Sequence, residues 1–301
     1  MEILLTGGTG FIGSELLKHL SNDHIVLLTR NIEKAKSKFL AAGITNISYI
    51  NSLDGYTNFN AIDAVINLAG EPILGKRWSK KQKEKICNSR WTITAKLAEL
   101  ISLSTAPPEV FISGSAVGYY GNQSNQLIDE SFSPINKGFP HSICSTWESI
   151  AQKAKSDKTR VCTLRTGVVL GKDGGVLPMM LLPFKFALGS SLGDGRQYMP
   201  WIHIKDMISA VIFLLETPAA KGCFNLCSPY PVTNKEFSKK LAYTLNRPLS
   251  FKIPQWFFNI TMGKSSCILF DSIRARPKNL LRLGFDFSQP HLESALSELL
   301  Y

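Results

Sequence analysis

Residues 3–13 read ILLTGGTGFIG. Three apolar residues run into Gly7, Gly10 and Gly13, and Phe11, Ile12, Leu16, Leu17 and Leu20 follow at helical spacing. The pattern predicts a strand over 2–6, a glycine-rich turn and a helix over 11–20. Glycine is needed in such a turn where the backbone takes unusual dihedrals, where it approaches a phosphate, and where the helix packs tightly on the strand. The helix N-terminus adds free N–H groups and the positive end of its dipole. With strand and helix on either side of G-x-x-G-x-x-G, the turn is expected to hold a dinucleotide pyrophosphate, with Gly7, Thr9, Gly10, Phe11, Ile12 and Gly13 as its contact residues.

The second strand, HIVLLTR (24–30), indicates which dinucleotide. A site selective for NAD usually ends this strand in Asp or Glu, which binds the ribose 2′-hydroxyl. Here Thr29 and Arg30 stand at that place. A guanidinium pairs with a 2′-phosphate that a carboxylate would repel, so the expected cofactor is NADP(H).

Further strands are expected over 47–50 and 64–68. The latter ends in NLAGEP (67–72), where Leu68, Ala69, Gly70 and Glu71 let the backbone lie against the cofactor. A helical tract spans 80–102. A fifth strand over 109–112 ends in the loop SGSAVGYYG (113–121), a helix covers 142–155, and a sixth strand over 160–164 runs into RTGVVLG (165–171). Strands alternating with helices predict an α/β fold, a doubly wound parallel sheet of Rossmann type with ligands at the strand C-termini. After residue 175 the pattern becomes loop-rich, with an apolar helix over 205–216, a short strand and turn over 222–229 and an amphipathic tail over 280–296. The expected division is 1–175 for the cofactor domain and 176–301 for a smaller α/β substrate or lid domain over its mouth.

Composition narrows the class. The chain has 301 residues and a net charge of +11. Its densest basic stretch, GKRWSKKQKEK (75–85), reads as a solvated helix face diluted by Glu84, so a nucleic-acid partner is not expected; attraction of a phosphorylated ligand is. The most apolar stretch, VLPMMLLPFKFALG (176–189), holds two prolines and Lys185 and is too short to span a bilayer. Six cysteines include one close pair, Cys223 and Cys227, with no second pair to complete a metal site. They are expected to be free thiols in a reducing compartment. With no leader-like start, the expectation is a cytoplasmic monomer or homodimer that takes a small-molecule substrate and has no membrane, nucleic-acid or metal partner.

The motifs TGGTGFIG (6–13), INLAGE (66–71), SGSAVGYYG (113–121), LRTGVVLG (164–171) and GDGRQYMPWIHIKD (193–206) resemble, in order, those of the extended short-chain dehydrogenase/reductase family. NLAGEPI, SRW, CxxWE and the GFxFxxPxLExAL-like tail at 284–296 are similar to its atypical branch of epimerase family proteins. The family segment at the C-terminus is expected over 250–298. The resemblance covers nearly the whole chain. It implies NADP binding, with Val168 of LRTGVVLG beside the cofactor, and epimerase or oxidoreductase chemistry on a small polar, sugar-like substrate.

The departures bear on mechanism. Ordinary members carry Tyr-x-x-x-Lys, in which the tyrosine is the acid/base. Counted from Ser115, the tyrosine slot falls at Pro140 and the lysine slot at Cys144. The family's Asn aligns with Arg90, and the arginine that grips a nucleotide-sugar diphosphate aligns with Met199, leaving the nearby Arg196 as its replacement. The expected catalytic set is therefore Ser115, to bind a substrate oxygen, Tyr119, as proton donor, and Arg90, as fixed positive charge. His141, Cys144 and Glu148 share a helix face, so a thiol nucleophile beside histidine stays open, as does a Glu148–Arg90 ion pair. A non-catalytic NADP(H)-binding protein, a redox sensor or scaffold, is the alternative.

Overall fold

A computed structural model describes residues 1–133, 135–249 and 251–301. Its centre is a seven-stranded sheet, every adjacent pair parallel. The first half of the chain supplies β1 (Glu2–Thr6), α1 (Phe11–Leu17), β2 (His24–Leu28), α2 (Ile32–Ala41), β3 (Ile47–Ile50), β4 (Ala64–Asn67), α3 (Lys80–Ser102), β5 (Val110–Ala116), the two-residue β6 (Leu127–Ile128), α4 (Phe139–Gln152) and β7 (Arg160–Thr166). A more irregular stretch follows: β8 (Val168–Leu170), α5 (Leu177–Lys185), β9 (Ser190–Leu192), β10 (Tyr198–Met199), β11 (Trp201–His203), α6 (Ile204–Glu216) and β12 (Gly222–Leu226). The chain closes with β13 (Val232–Thr233), α7 (Asn234–Thr244), β14 (Phe251–Ile253), α8 (Gln255–Met262), α9 (Cys267–Phe270), β15 (Arg274–Ala275), α10 (Lys278–Arg282) and α11 (Leu292–Leu300).

Sheet order is β12-β7-β5-β4-β1-β2-β3. The order reverses between β1 and β4, which opens a crevice at their C-terminal ends. Strands buried on both faces feed two cores by alternation. Ile3 and Leu5 point into a layer with Leu16, Leu17, Phe39, Val211 and Leu214, on α1, α2 and α6. Leu4 points the other way, against Leu97, Ile101 and Ala151 on α3 and α4.

Element bounds differ from expectation where local chemistry overrides hydrophobic spacing. α4 starts at Phe139 rather than 142, because Pro140 fits the first helical turn, where its missing N–H is not needed. β5 runs on through Ser115 to Ala116, and only then does a 3₁₀ turn, Val117–Tyr119, begin. The 222–229 stretch was expected to belong with the smaller unit. Its strand β12 instead pairs with β7 at the edge of the main sheet, and α6 packs into the sheet's core layer.

The WIHIKD segment fastens the C-terminal tail. His203 caps α6, its Nδ1 accepting from Lys205 N at 3.1 Å, while Nε2 lies 2.6 Å from Glu298 Oε2. Asp206 accepts from Ser288 N, Ser288 Oγ and Gln289 N, which holds the turn before α11. Burial keeps the His203 pKa below its ordinary 6.5, outweighing Glu298. A lowered histidine pKa means that the unfolded chain binds the proton more readily. Stability is therefore intact above the unfolded value of about 6.5 and falls as pH drops below it. Thermal melts over this range should show that decline, and His203→Asn, which keeps a capping oxygen, should flatten it. An unchanged slope would mean that other groups carry the pH dependence.

Candidate functional site

The turn after β1 and the ends of β2, β3 and β4 enclose a cleft of about 1090 Å³. Thr6, Gly7, Thr9 and Gly10 form its floor, Leu68, Ala69, Gly70 and Glu71 one wall, and Leu28, Thr29 and Arg30 another. Gly7 has a φ of +74°, and a Cβ there would lie 2.5 Å from the Leu68 carbonyl carbon. Glycine alone lets the turn run this close to the wall. A Cβ on Gly13 would meet Gly7 O at 2.5 Å, so Gly13 serves helix–turn packing. Phe11, Ile12 and Val168 are placed differently from the other expected contacts. The Phe11 ring lies against Gly171 and Gly174, Ile12 packs on the main core, and Val168 packs with the cluster around Trp201. These three side chains are partly buried and are not among the residues that line the cleft.

Two lysines that sequence reading missed join Arg30 along the cleft, both on α2. Lys38 reaches back to donate to Thr9 O at 3.1 Å and Ser14 Oγ at 2.6 Å. Burial, then repulsion from Lys18 and Lys34, holds its pKa below the usual lysine value. Among the described residues Arg30, Lys34 and Lys38 have no carboxylate partner, so this end of the cleft is an uncompensated cationic rim. The basic 75–85 stretch behaves differently at its cofactor end: Lys85 and Lys76 lie 3.1 and 3.4 Å from Glu71, and lower its pKa.

Parallel pairing places Ser115 on β5 directly beside Arg165 on β7. Glu148, on α4, joins them. Arg165 donates from Nε to Glu148 Oε1 and from Nη2 to Oε2, both at 2.9 Å, a bidentate pair almost fully buried. Ser115 Oγ donates to Oε1 at 2.7 Å. Arg165 Nη1 also donates to the Tyr120 hydroxyl, which in turn donates to Asn225 Oδ1 on β12. Burial pushes the Tyr120 pKa far up, so that phenol is a neutral strut. Tyr119 lies under the same guanidinium, whose carbon is 3.5 Å from its ring centroid; among the described residues its hydroxyl makes no hydrogen bond.

Three readings of the sequence are corrected or sharpened by this arrangement. Glu148 pairs with Arg165, not Arg90. Arg90 instead donates to the carbonyls of Glu71 and Ile86, at 2.9 and 3.1 Å, and lies over the Trp147 ring. Cys144 is buried, which raises its thiol to about 11, with Glu148 adding to the rise; a thiolate nucleophile is disfavoured there. His141 turns its Nδ1 to the Tyr119 carbonyl at 2.6 Å and not to the thiol. The residues in the Tyr and Lys slots lie against the turn after β5: a Cβ on Gly118 would lie 3.1 Å from Pro140 Cβ and 4.0 Å from Cys144 Sγ. All six cysteines are free, and among the described residues no helix is long and apolar enough to cross a membrane.

A Rossmann-type sheet with a glycine-rich turn at its switch point defines a dinucleotide-binding class. Residues 3–236 match the NAD dependent epimerase/dehydratase family, and residues 253–299 match a domain of unknown function, DUF1731. The chain belongs to the NAD dependent epimerase/dehydratase family. It is 36% identical over 304 residues to the chloroplastic epimerase family protein SDR39U1 homolog of Arabidopsis thaliana, covering 100% of this chain and 87% of that one. It is 34% identical over 306 residues to epimerase family protein YfhF of Bacillus subtilis, covering 100% and 98%. Among solved structures it is similar to human epimerase family protein SDR39U1 (isoform2) with NADPH, at a TM-score of 0.89 and 31% identity, covering 99% of both chains.

Proposed function

We propose that the chain is an NADP(H)-dependent oxidoreductase or epimerase for a small polar, sugar-like substrate, working without Tyr-x-x-x-Lys. The observation that carries this reading is the uncompensated cationic rim of Arg30, Lys34 and Lys38 on a cleft floored by the glycine-rich turn. The human relative was crystallised with NADPH, and the residues here suit that group: backbone at Gly7–Gly10 for the pyrophosphate, Arg30 and Lys34 for the 2′-phosphate. Residues 1–175, extended by α6 and β12, form the cofactor-holding body, and the rest of 176–301 the substrate side. Bound NADP(H) supplies or accepts a hydride.

Ser115 and Tyr119 sit at the C-terminal edge of β5, the edge of the sheet that also bears the cleft. Glu148 is an acceptor clamped by Arg165, so the Ser115 hydrogen is committed to it. The remaining lone pairs of Ser115 accept from a substrate hydroxyl. Tyr119 exchanges the proton at the reacting oxygen, and Arg165, not Arg90, is the cation that steadies the charge developing on its phenol. Arg90 holds the Glu71 wall of the cofactor cleft. One observation favours a second reading, a non-catalytic NADP(H) sensor or scaffold: Pro140 and a buried Cys144 stand where a Tyr–Lys pair would, and neither supplies that pair's proton or fixed cation.

Calorimetric titration with NADPH and NADH is expected to give tighter binding of NADPH. Arg30→Asp should weaken it by about 1.5–3 kcal/mol for each charge-assisted bond lost. Equal affinities in the unmutated protein would sink the cofactor assignment. Metabolite mixtures followed by nicotinamide absorbance and by product analysis separate the two readings of the site: turnover supports the enzyme, and NADPH binding with no turned-over substrate supports the sensor.

A further inference from the structure

α8, QWFFNITM, is an apolar helix with no buried residue. Trp256, Phe257 and Ile260 are 62%, 45% and 67% exposed and share one face, since 256 and 260 are four apart and 257 and 260 three apart. Phe258 turns inward instead, onto Phe270. A contiguous exposed apolar face of this kind is rarely left to water. Its surroundings identify what covers it. The guanidinium of Arg77 lies 3.3 Å from where a Gly263 Cβ would stand, at the C-terminal end of α8. Cys267 and Ile268, just beyond, pack on the cluster around Trp78 and Ile86. The segment that leaves the helix is thus seated against Arg77, Trp78 and Ile86, in and just after the basic 75–85 stretch. Arg77, Lys80, Lys81 and Lys264 are exposed, and among the described residues none has a carboxylate partner.

We propose that this face is a peripheral docking surface for an anionic lipid bilayer. Trp256, Phe257 and Ile260 enter the boundary between headgroups and acyl chains, and the four cations bind lipid phosphates around them. The charge pattern selects this occupant over a second copy of the chain, which would bring two sets of unpaired cations together. The contact needs no spanning helix, and among the described residues none is long and apolar enough to be one. It is independent of the chemistry proposed for the cleft.

Flotation of the full chain with vesicles tests it. Vesicles of phosphatidylcholine with roughly 30% phosphatidylglycerol should carry the protein up the gradient at low salt, and pure phosphatidylcholine should not. The surface variants Trp256→Ser/Phe257→Ser/Ile260→Ser and Lys80→Gln/Lys81→Gln/Lys264→Gln should each lower partitioning by about tenfold or more, with unchanged melting curves. Absence of flotation with anionic vesicles overturns the proposal. So does flotation abolished by the lysine changes but untouched by the apolar ones, since that is surface charge without insertion. A dimer seen by light scattering that Trp256→Ser/Phe257→Ser/Ile260→Ser dissolves assigns the face to a second copy and also overturns it.

Discussion

Arg165→Met is expected to cost about 3–5 kcal/mol of folding stability, among the largest effects of any single substitution in this chain. Arg165 and Glu148 are 4% and 9% exposed and hold each other bidentately. Removing the guanidinium strands a carboxylate in the interior with only Ser115 to solvate it, and leaves the Tyr120 hydroxyl without its donor. Glu148→Leu should cost a similar amount by stranding the guanidinium. The double substitution should cost much less than the sum, because an apolar pair of similar volume needs no desolvation. Denaturant unfolding of the four proteins gives the cycle. Additive losses would mean that the two groups stabilise the fold through separate contacts. The cycle also separates stability from positioning: Ser115, Glu148 and Arg165 lie outside the lining of the cofactor cleft, so a variant that folds with Ser115 released from Glu148 should bind NADPH normally.

Much of this architecture was legible because periodicity speaks directly of burial. β1, β3 and α3 lie where the alternation and spacing of Glu2–Thr6, Ile47–Ile50 and Lys80–Ser102 put them. The glycine-rich turn was legible for a steric reason: Gly7 admits no side chain against Leu68, and a turn that tight announces itself in composition. Contacts made by register were not legible. Ser115 and Arg165 are fifty residues apart along the chain and become neighbours only once β5 and β7 pair in one particular alignment. Helix phase told that Glu148 shares a face with Cys144, but not that Arg165 would lie nearer to it than Arg90. β12 hid for a related reason. Gly222–Leu226 is five residues long, at the edge of the sheet, and nothing in GCFNL distinguishes an edge strand of the main sheet from a strand of the smaller unit. Lys34 and Lys38 escaped notice because the sequence reading assigned no element between 30 and 47; the seat of α2 beside β2 turns those lysines to the cleft.

Tyr119→Phe is expected to lower turnover by roughly 10²–10⁴-fold while leaving NADPH affinity nearly unchanged. The phenol is the acid on the 3₁₀ turn that follows Ser115, and its hydroxyl is uncommitted among the described residues, whereas the Tyr120 hydroxyl is bonded on two sides and its burial disfavours loss of a proton. A guanidinium 3.5 Å from the Tyr119 ring centroid is fixed there by Glu148, so positive charge is in place before the proton moves and need not be organised during the step. Phenylalanine keeps the ring under Arg165 and removes only the hydroxyl, which makes the change a test of proton transfer rather than of packing. Cys144→Ala should be mild in the same assay, because burial keeps that thiol protonated. Tyr120→Phe supplies the contrast: it removes a buried strut between Arg165 and Asn225, so it should lower stability by about 1–3 kcal/mol through the partners it leaves unsatisfied, with a smaller effect on turnover. Full activity in Tyr119→Phe together with an inactive Cys144→Ala would transfer the chemistry to the thiol. Full activity in both would remove the acid from this turn altogether and direct attention to Ser115 and Glu148, which are already joined by a 2.7 Å hydrogen bond along which a proton can pass.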